Sequence, residues 1–275
     1  MVEKIGLLLK SGGGYGLLLL AALLVPIWLE NLYYYHVLIV VCVFTVGALG
    51  VRLMLITGQM NFGQAGFFAI GAFTSAILAA EGLAMGNYGE QGPSLALPVW
   101  LSMFLAGGIT AAFALVIGYP ALRVKGIYFG IVTMAIGLGV RQFIIMDPGR
   151  FGDVNVGWTG GLRQFPWGIE HPEGIGTFLE FTSRVPNYYL SVALLVLAML
   201  VFYRIDKSRL GLLYRSINQS DTLGESVGVN VARIKVLGFV TSSFLCGLAG
   251  AHYTHYMMFA DFNLWGLFQS IQLVI

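Results

Sequence analysis

Residues 204–235 have the sequence RIDKSRLGLLYRSINQSDTLGESVGVNVARIK, a long polar segment rich in positive charge with hydrophobic stretches on both sides. By the positive-inside rule, a segment of this kind stays on the cytoplasmic side of a membrane. Its apolar side chains recur at roughly helical spacing, at Leu212, Leu213, Ile217, Leu223 and Val227. Gly228 follows where a C-cap glycine is expected. The segment predicts a cytoplasmic amphipathic helix, either a linker on the membrane surface or a docking element for a cytoplasmic partner.

The composition of the chain indicates the same class of protein. Of the 275 residues, 57% are hydrophobic and only 10% are charged, and the mean hydropathy is +0.81. A chain this apolar is typical of a polytopic membrane protein and not of a soluble domain. Its two cysteines, Cys42 and Cys246, fall inside apolar stretches, where cysteine acts as a small buried hydrophobe. No disulfide framework is expected.

Apolar stretches near the ~20 residues that a helix needs to cross the hydrocarbon predict an all-α polytopic transmembrane helix bundle of about eight segments. A single domain over residues 1–275 is expected. The predicted spans are Tyr15–Leu29, Val37–Ile56, Phe62–Ala80, Leu95–Tyr119, Ile127–Met146, Tyr188–Tyr203, Val236–Phe259 and a last one from Leu264, truncated at Ile275. Because a helix cut short within the hydrocarbon leaves backbone groups unpaired, we expect the sequence to be a fragment.

The charges between the spans predict the orientation of the chain. Starting from a cytoplasmic N-terminus, ten Lys and Arg residues fall inside (Lys4, Lys10, Arg123, Lys125 and six in residues 204–235) and three fall outside (Arg150, Arg163 and Arg184). This asymmetry supports a cytoplasmic N-terminus. The same alternation places the long loop 147–187 outside, where it is either a folded loop with an interfacial aromatic belt or a landing surface for another protein.

A polar, glycine-rich break lies between the second and third predicted spans. Residues 57–74 read TGQMNFGQAGFFAIGAFT, with glycines that interrupt two apolar runs and the amide side chains of Gln59, Asn61 and Gln64 between them. Glycine-broken membrane helices free backbone groups that can line a polar path. The alternative is a plain cytoplasmic turn that joins two spans.

Asp221–Asn230, with the sequence DTLGESVGVN, resembles the coupling loop of ABC-importer permeases, and most closely that of the branched-chain amino-acid permeases of the LivM type. Glu225 and Gly228 fit the pattern, while Leu223 and Gly224 stand where the family usually has alanine. In that family the loop seats in a groove on a separate ATPase subunit. The resemblance implies that this surface contacts the ATPase through Arg215, Asp221, Glu225 and Gly228.

The resemblance extends to the glycine-rich break and favours a translocation path there. The chain keeps the family's residues at Gly58-Gln59, Gly63, Phe67-Phe68 and Gly71-Ala72. It departs from the family's Ser, His and Tyr at Asn61, Gln64 and Phe73. On this basis the candidate pathway residues are Gln59, Asn61, Gln64, Arg52, Thr133 and Arg141.

The two arginines within predicted spans have competing interpretations. Arg52 and Arg141 each lie near a span end, so each can snorkel to the headgroups or meet a substrate carboxylate in a pathway. The family commonly has Asn at the place of Arg52, so its role cannot be carried over. Arg141 matches the family, but Leu138 replaces an acidic residue often found three positions earlier. We favour packing or snorkelling for both.

The motifs of several other functions are missing from the sequence. It contains no Gly-Lys dipeptide and therefore no phosphate loop, and it has no zinc motif, nucleophile elbow or dinucleotide fingerprint. His252 and His255 can share one helix face, but no Cys, Asp or Glu lies near them to complete a metal site. We therefore expect no catalytic residue, no bound metal or cofactor and no nucleic-acid partner, and ATP is expected to be used by a partner subunit.

The resemblance implies a permease subunit of an ABC importer for branched-chain or related amino acids. Its expected partners are a second, LivH-like permease, two ATPase subunits, a periplasmic solute-binding protein at the loop 147–187 and the lipid bilayer. The expected location is the bacterial inner membrane, with multiple spans and a cytoplasmic N-terminus. The alternatives are a permease for urea or short amides and an ATP-independent channel or carrier. A membrane enzyme is disfavoured because the spans lack convergent ionisable residues.

Overall fold

The computed structural model describes residues 32–79, 83–84, 91–92, 97–122, 124, 126–146, 154–155, 184–220, 222, 225, 228–257 and 259–260. Within these ranges the chain forms a bundle of helices. They are α1 (Leu32–Ile56), α2 (Gln64–Ala79), α3 (Val99–Ala121), α4 (Ile127–Met146), α5 (Arg184–Lys207), α6 (Arg209–Gln219) and α7 (Val231–Met257). The described strands are two residues each: β1 (Leu83–Ala84), β2 (Gln91–Gly92), β3 (Val154–Asn155) and β4 (Phe259–Ala260).

The lengths and composition of the described helices fit a polytopic helical membrane protein. Four are long and apolar enough to cross a membrane, over Tyr33–Ile56, Val99–Ala121, Pro186–Lys207 and Val231–Met257, and two shorter helices, α2 and α4, are also apolar. These six helices coincide with six of the eight predicted spans. The predicted spans Tyr15–Leu29 and Leu264–Ile275 lie outside the described residues, so the number eight stays a prediction.

The helix bounds differ from the predicted spans mainly by extension. α4 has the predicted bounds, whereas α1 begins five residues before Val37, α5 begins four residues before Tyr188, and α7 begins five residues before Val236. Hydrophobicity marks only the part of a helix that can sit in hydrocarbon, whereas the backbone hydrogen bonds continue past that boundary. The start of α7 therefore includes the last charged residues of the segment 204–235.

The segment 204–235 contains a short amphipathic helix, but that helix is not the full length predicted. α6 begins after Ser208, whose hydroxyl caps it by accepting a hydrogen bond from the Leu210 N–H at 3.2 Å. It ends at Gln219 because Ser220 is extended, with φ −162° and ψ 133°. A single helix running on to Val227 is therefore wrong. Gly228 has φ +76°, and its N–H donates to the Glu225 carbonyl at 2.9 Å, so it closes a turn as predicted.

α7 is the central helix of the bundle, and it packs against α2, α3 and α1 over most of its length. Glycines bring the backbones close together: a Cβ atom on Gly71 would collide with the carbonyl of Gly247, and one on Gly250 with the carbonyl of Phe68. Close approach at small residues is the usual way for membrane helices to pack. α5 packs mainly on α1, and α4 lies against α2.

Two small antiparallel ladders, which the all-α prediction did not include, join the connections at one end of the bundle. β1 pairs with β2, and β3 pairs with β4, so Val154 lies opposite Ala260. The second ladder ties the predicted external loop to the chain just after α7. Following the predicted topology, we call this end of the bundle the outer end and the end next to α6 the inner end.

Candidate functional site

The break between α1 and α2 is a non-helical stretch of backbone in which buried and exposed residues alternate. Thr57, Gln59 and Asn61 within it are 1%, 2% and 0% exposed. The chain leaves α1 through Gly58, which has φ +78°, a left-handed conformation that glycine adopts without steric cost. In a membrane protein, non-helical backbone at membrane depth is tolerated only where protein or a polar cavity surrounds it. The break therefore carries its polar side chains on the buried side and leaves Gly58 and Met60 exposed.

Hydrogen bonds from the first residue of α2 connect three helices at this break. The Gln64 side-chain N–H donates to the Ser242 hydroxyl on α7 at 2.6 Å, and that hydroxyl donates to the Gly50 carbonyl on α1 at 2.7 Å. All three groups are buried. A chain of this kind in a low-dielectric interior stabilises one relative arrangement of its helices.

Thr133 of α4 forms a hydrogen bond to the backbone of the break. Its hydroxyl donates to the Gly130 carbonyl at 2.9 Å and accepts from the Phe62 N–H at 3.2 Å. A Cβ atom on Gly63 would collide with the Thr133 carbonyl, so glycine is required at this contact. The Asn61 side-chain oxygen accepts from the Gly63 N–H at 2.9 Å, which orders the backbone just before α2. We call this cluster the inner polar layer: Gln59, Asn61, Gln64, Thr133 and Ser242.

The amides of the inner polar layer retain unused hydrogen-bonding atoms. Both side-chain polar atoms of Gln59, the Asn61 nitrogen and the Gln64 oxygen have no hydrogen-bond partner among the described residues. A buried polar group without a partner is costly and is unusual in a packed interior. Amides offer donors and acceptors without a formal charge. The arrangement is therefore suited to a neutral or zwitterionic polar ligand.

A second buried polar cluster lies nearer the outer end. The His255 Nε2 atom is 2.8 Å from the Ser75 hydroxyl oxygen, which is 3.0 Å from that of Ser102. The His252 Nε2 atom is 2.7 Å from the Ser191 hydroxyl oxygen. We call these residues the outer polar layer: Ser75, Ser102, Ser191, His252 and His255. Sequence reasoning singled out the histidines but missed their serine partners, because α2, α3 and α5 supply them and no local pattern connects them.

The two layers are separated by close helix packing. Ser75 follows Gln64 by eleven residues on α2, and His252 follows Ser242 by ten on α7, a distance of roughly 15 Å at the α-helical rise. Gly71 and Gly247 are in backbone contact in this interval, and Thr110 of α3 lies against Gly247. This glycine-packed interval separates the inner polar layer from the outer one.

The predicted coupling surface lies on and after α6. Arg215 is exposed and forms an ion pair with Asp206 at 2.6 Å, and Glu225 and Gly228 are also exposed. Asp221 lies outside the described residues. Their contact with an ATPase remains a prediction.

α6 itself contacts the start of the break. A Cβ atom on Gly58 would meet the Asn218 side-chain oxygen at 2.7 Å, and the Tyr214 ring lies beside Gly238 of α7. Burial raises the pKa of Tyr214 to about 12, so its hydroxyl stays neutral at physiological pH. α6 thus packs against the residue that precedes Gln59 and against the inner half of α7.

Arg52 and Arg141 lie on different helices. Arg52 is exposed on α1, and its guanidinium carbon is 5.3 Å from the centre of the Phe202 ring on α5, within range of a cation–π interaction. Arg141 is partly buried on α4. A pathway role for either stays a prediction.

Comparison with known proteins matches residues 33–275 to the family described as branched-chain amino acid transport system permease components. This chain belongs to that family. The family resemblance inferred from the coupling loop and the glycine-rich break is therefore confirmed. Because the match runs from the start of α1 to the last residue of the sequence, it includes both polar layers and α6.

Individual relatives differ in the solute that they are named for. The LivM permease of the high-affinity branched-chain amino acid transport system from Salmonella typhimurium is 29% identical over 226 residues, which are 76% of this chain and 49% of the relative. The Escherichia coli LivM permease gives the same figures. The nucleoside ABC transporter permease NupC of Lactococcus lactis is 28% identical over 200 residues, 71% of this chain and 58% of the relative. The chain thus spans about half the length of these relatives. No solved structure matches it with significance.

Proposed function

We propose that this chain is the transmembrane permease subunit of an ABC importer that moves branched-chain or related amino acids across the bacterial inner membrane. The observation that carries the proposal is the family match over residues 33–275. The LivM relatives support amino acids as the solute. The energy would come from ATP used by a partner subunit, and no cofactor is proposed for this chain.

The inner polar layer is the proposed inner part of the translocation pathway. Its unused amide donors and acceptors support this role because they can replace the water of a polar solute during passage. Gln59, Asn61 and Gln64 would contact the solute, and Thr133 would hold the break against α4. Arg52 and Arg141 are further pathway candidates, for which packing or snorkelling is our favoured role.

A nucleoside is the second candidate solute, because NupC is matched at nearly the same identity as LivM. The chemistry of the amide cluster is compatible with both solutes. A zwitterionic amino acid and a nucleoside each carry donors and acceptors without net charge, so the inner polar layer does not discriminate between them.

The proposed partners follow from the family. They are a second, LivH-like permease subunit, two ATPase subunits at the surface formed by α6 and the turn at Gly228, and a periplasmic solute-binding protein at the loop 147–187. The exposed positions of Arg215, Glu225 and Gly228 support a contact with an ATPase there. The proposed orientation keeps the N-terminus in the cytoplasm.

An uptake measurement in the native host tests the solute. Deletion of the gene is expected to reduce the uptake of radiolabelled leucine at micromolar concentration, and a copy supplied in trans is expected to restore it. Guanosine uptake is measured in the same strains. A loss confined to guanosine would move the proposal to nucleosides, and unchanged uptake of both would reject both solutes.

A pair of glycine substitutions tests the coupling surface. Gly228→Asp is expected to leave the chain inserted but to reduce the amount of ATPase that co-purifies from detergent and to stop uptake. The control is Gly126→Asp, because Gly126 also has a positive φ, of +64°, and open space around its Cα, but lies in the α3–α4 connection. If both variants keep the ATPase at the wild-type ratio, or both lose it equally, the turn at Gly228 is not the specific contact.

A further inference from the structure

Two histidines on α7 have one ring nitrogen paired and the other unused. His252 and His255 are each 1% exposed, and the Nε2 atom of each lies within hydrogen-bonding distance of a serine hydroxyl. The Nδ1 atom of each has no hydrogen-bond partner within the described part of the chain. Buried polar atoms of this kind call for a specific explanation.

The hydrogen bonds of Ser191 favour one tautomer of His252. The Ser191 hydroxyl has a single proton, and the Asn187 carbonyl lies within bonding distance of it at 2.8 Å. When the hydroxyl donates to that carbonyl, its oxygen can accept from His252 Nε2 at 2.7 Å. We assign the proton to Nε2 because this tautomer satisfies both contacts, and Nδ1 of the neutral ring is then an acceptor.

The same reasoning applies to His255 through a longer chain of bonds. Ser102 donates its proton to the Val99 carbonyl at 2.8 Å, so its oxygen accepts from Ser75 at 3.0 Å. When Ser75 donates to Ser102, its oxygen accepts from His255 Nε2 at 2.8 Å, and Ser102 is a more distant second neighbour of Nε2 at 3.4 Å. This assignment satisfies every contact, and its protons run in one direction, from His255 to Ser75, Ser102 and the Val99 carbonyl. Nδ1 of His255 is a bare acceptor as well.

The two histidines lie one helical turn apart on α7, and both side chains are buried in this conformation. Residues three apart lie on neighbouring positions of a helix face. A narrow crevice beside His252, lined by residues of α1, α5 and α7, has no room for a water molecule. α5 packs mainly against α1 and only slightly against α7. Separation of α5 from α7 would therefore expose His252 without breaking the contact of α7 with α2.

Hydrogen bonding between helices explains the Nε2 atom of each histidine but not the Nδ1 atom. The Nε2–H bonds to serine link α7 to α5, α2 and α3, as polar side chains often do between membrane helices. The Nδ1 lone pairs add nothing to those links. A metal ion is not supported, because the described residues contain no group of three or more His, Cys, Asp or Glu that could hold one.

We propose that His252 and His255 form a solute-contact site in the outer half of the bundle, where their Nδ1 atoms accept hydrogen bonds from the N–H donors of a passing solute. The α-ammonium group of an amino acid supplies such donors, and so do the N–H groups of a nucleobase. The inference rests on the proposed transport function and adds a second contact point to the inner polar layer. Because Nδ1 carries no proton in the assigned tautomer, it can only accept a hydrogen bond. The site therefore selects solutes that present N–H donors.

Asparagine and glutamine at position 255 separate the two ring nitrogens. An asparagine amide lies near the place of Nδ1, so His255→Asn retains an acceptor there and loses the bond to Ser75. A glutamine amide lies near the place of Nε2, so His255→Gln retains a donor for Ser75 and loses the Nδ1 acceptor. The variants have similar polarity and form a matched pair. His252→Asn and His252→Gln repeat the comparison against Ser191.

The measurement is the concentration dependence of leucine and guanosine uptake, normalised to the amount of chain in the membrane. For the solute that the wild type transports, the glutamine variants are expected to raise the KM by roughly tenfold to a hundredfold, the usual effect of losing a hydrogen bond to a charged group. The asparagine variants are expected to stay within about threefold of wild type, since they keep the acceptor.

The opposite order, with asparagine worse than glutamine, would show that the serine bonds matter and that the histidines only join helices. Equal effects of the two substitutions, whether both harmful or both neutral, also overturn the proposal. Failure of the transport proposal is distinguishable, because the wild type itself would then take up neither solute. The leucine and guanosine measurements show which class of donor the site contacts.

Discussion

The inner and outer polar layers lie on the same pair of helices, α2 and α7, but they are built in different ways. The inner polar layer is organised around a break in the backbone, where Gly58 and Gly63 allow the chain to turn and to lie against α4. The outer polar layer sits within unbroken helices and consists of side chains alone, from α2, α3, α5 and α7.

The difference in chemistry follows from the difference in construction. The amides of the inner layer retain both donors and acceptors, so on the proposed function a solute would find partners there in several orientations. In the assignment above, Ser191 donates its proton to the Asn187 carbonyl, and Ser75 donates through Ser102 toward the Val99 carbonyl. The histidines of that layer then present acceptors only. On the proposed function the inner layer is adaptable and the outer layer is selective, although both are fully buried.

The largest effect is expected from filling the glycine-packed interval between the two layers. Gly71→Leu would drive a side chain into the Gly247 carbonyl, and a backbone atom cannot move away as a flexible side chain can. We expect little folded protein, since overpacking typically costs about 1–3 kcal/mol and more where backbone is involved. Folded yield in detergent is measured by size-exclusion chromatography.

The matched control is Gly108→Leu on α3, because Gly108 is exposed and a Cβ atom there meets nothing within 4 Å. It should give a wild-type yield. If Gly71→Leu folds and transports as well as Gly108→Leu, the two layers do not depend on a common α2–α7 contact.

Cysteine labelling tests whether the two layers open to different sides. Cys42 and Cys246 are first replaced by alanine. Cysteines at Gln59 and Asn61 are expected to react with a small impermeant reagent from the cytoplasmic side. Both positions are buried in this conformation, so labelling requires the pathway to open. We therefore expect the reaction to be more than about tenfold faster during ATP turnover than at rest. A cysteine at Ser75 should react only from the opposite side.

The reference for this experiment is Met60→Cys, because Met60 lies in the same break but is 52% exposed. It should react in every nucleotide state. If Gln59→Cys and Asn61→Cys follow Met60→Cys in all states, the break is a plain turn, and the contrast between the layers loses its functional meaning.

The smallest effect is expected at the contact between α6 and the break. Gly58→Ala forces a left-handed conformation on alanine, which costs about 1–2 kcal/mol, and its Cβ meets Asn218. The melting temperature in detergent should fall by a few degrees, at roughly 2–4 °C per kcal/mol for a chain of this size. Adding Asn218→Ala should recover the part of the melting temperature lost to the Cβ contact. The part lost to the positive φ at position 58 should remain. Full restoration would mean that the backbone conformation carries no cost.

The sequence predicts the inner polar layer better than the outer one, because the inner signal is local. Glycines and amides occur together within residues 57–64, and a break in a membrane helix needs just such residues. The outer layer has no equivalent: Ser75, Ser102 and Ser191 are small polar residues on three different apolar helices. Each is compatible with a helix on its own, since a serine can bond to its own backbone, as Ser191 does to Asn187.

The sequence by itself determined that the chain is a helical membrane protein of this permease family, where six of its helices lie, and where the backbone breaks between α1 and α2. These properties depend on hydrophobicity along the chain and on residues close together in it. Only the tertiary structure decided which face of each apolar helix turns inward. A helix that is hydrophobic all round carries no preferred face, so the glycine contacts of α7 select the orientation. That choice brings Gln64 to Ser242 and joins the histidines of α7 to serines on three other helices.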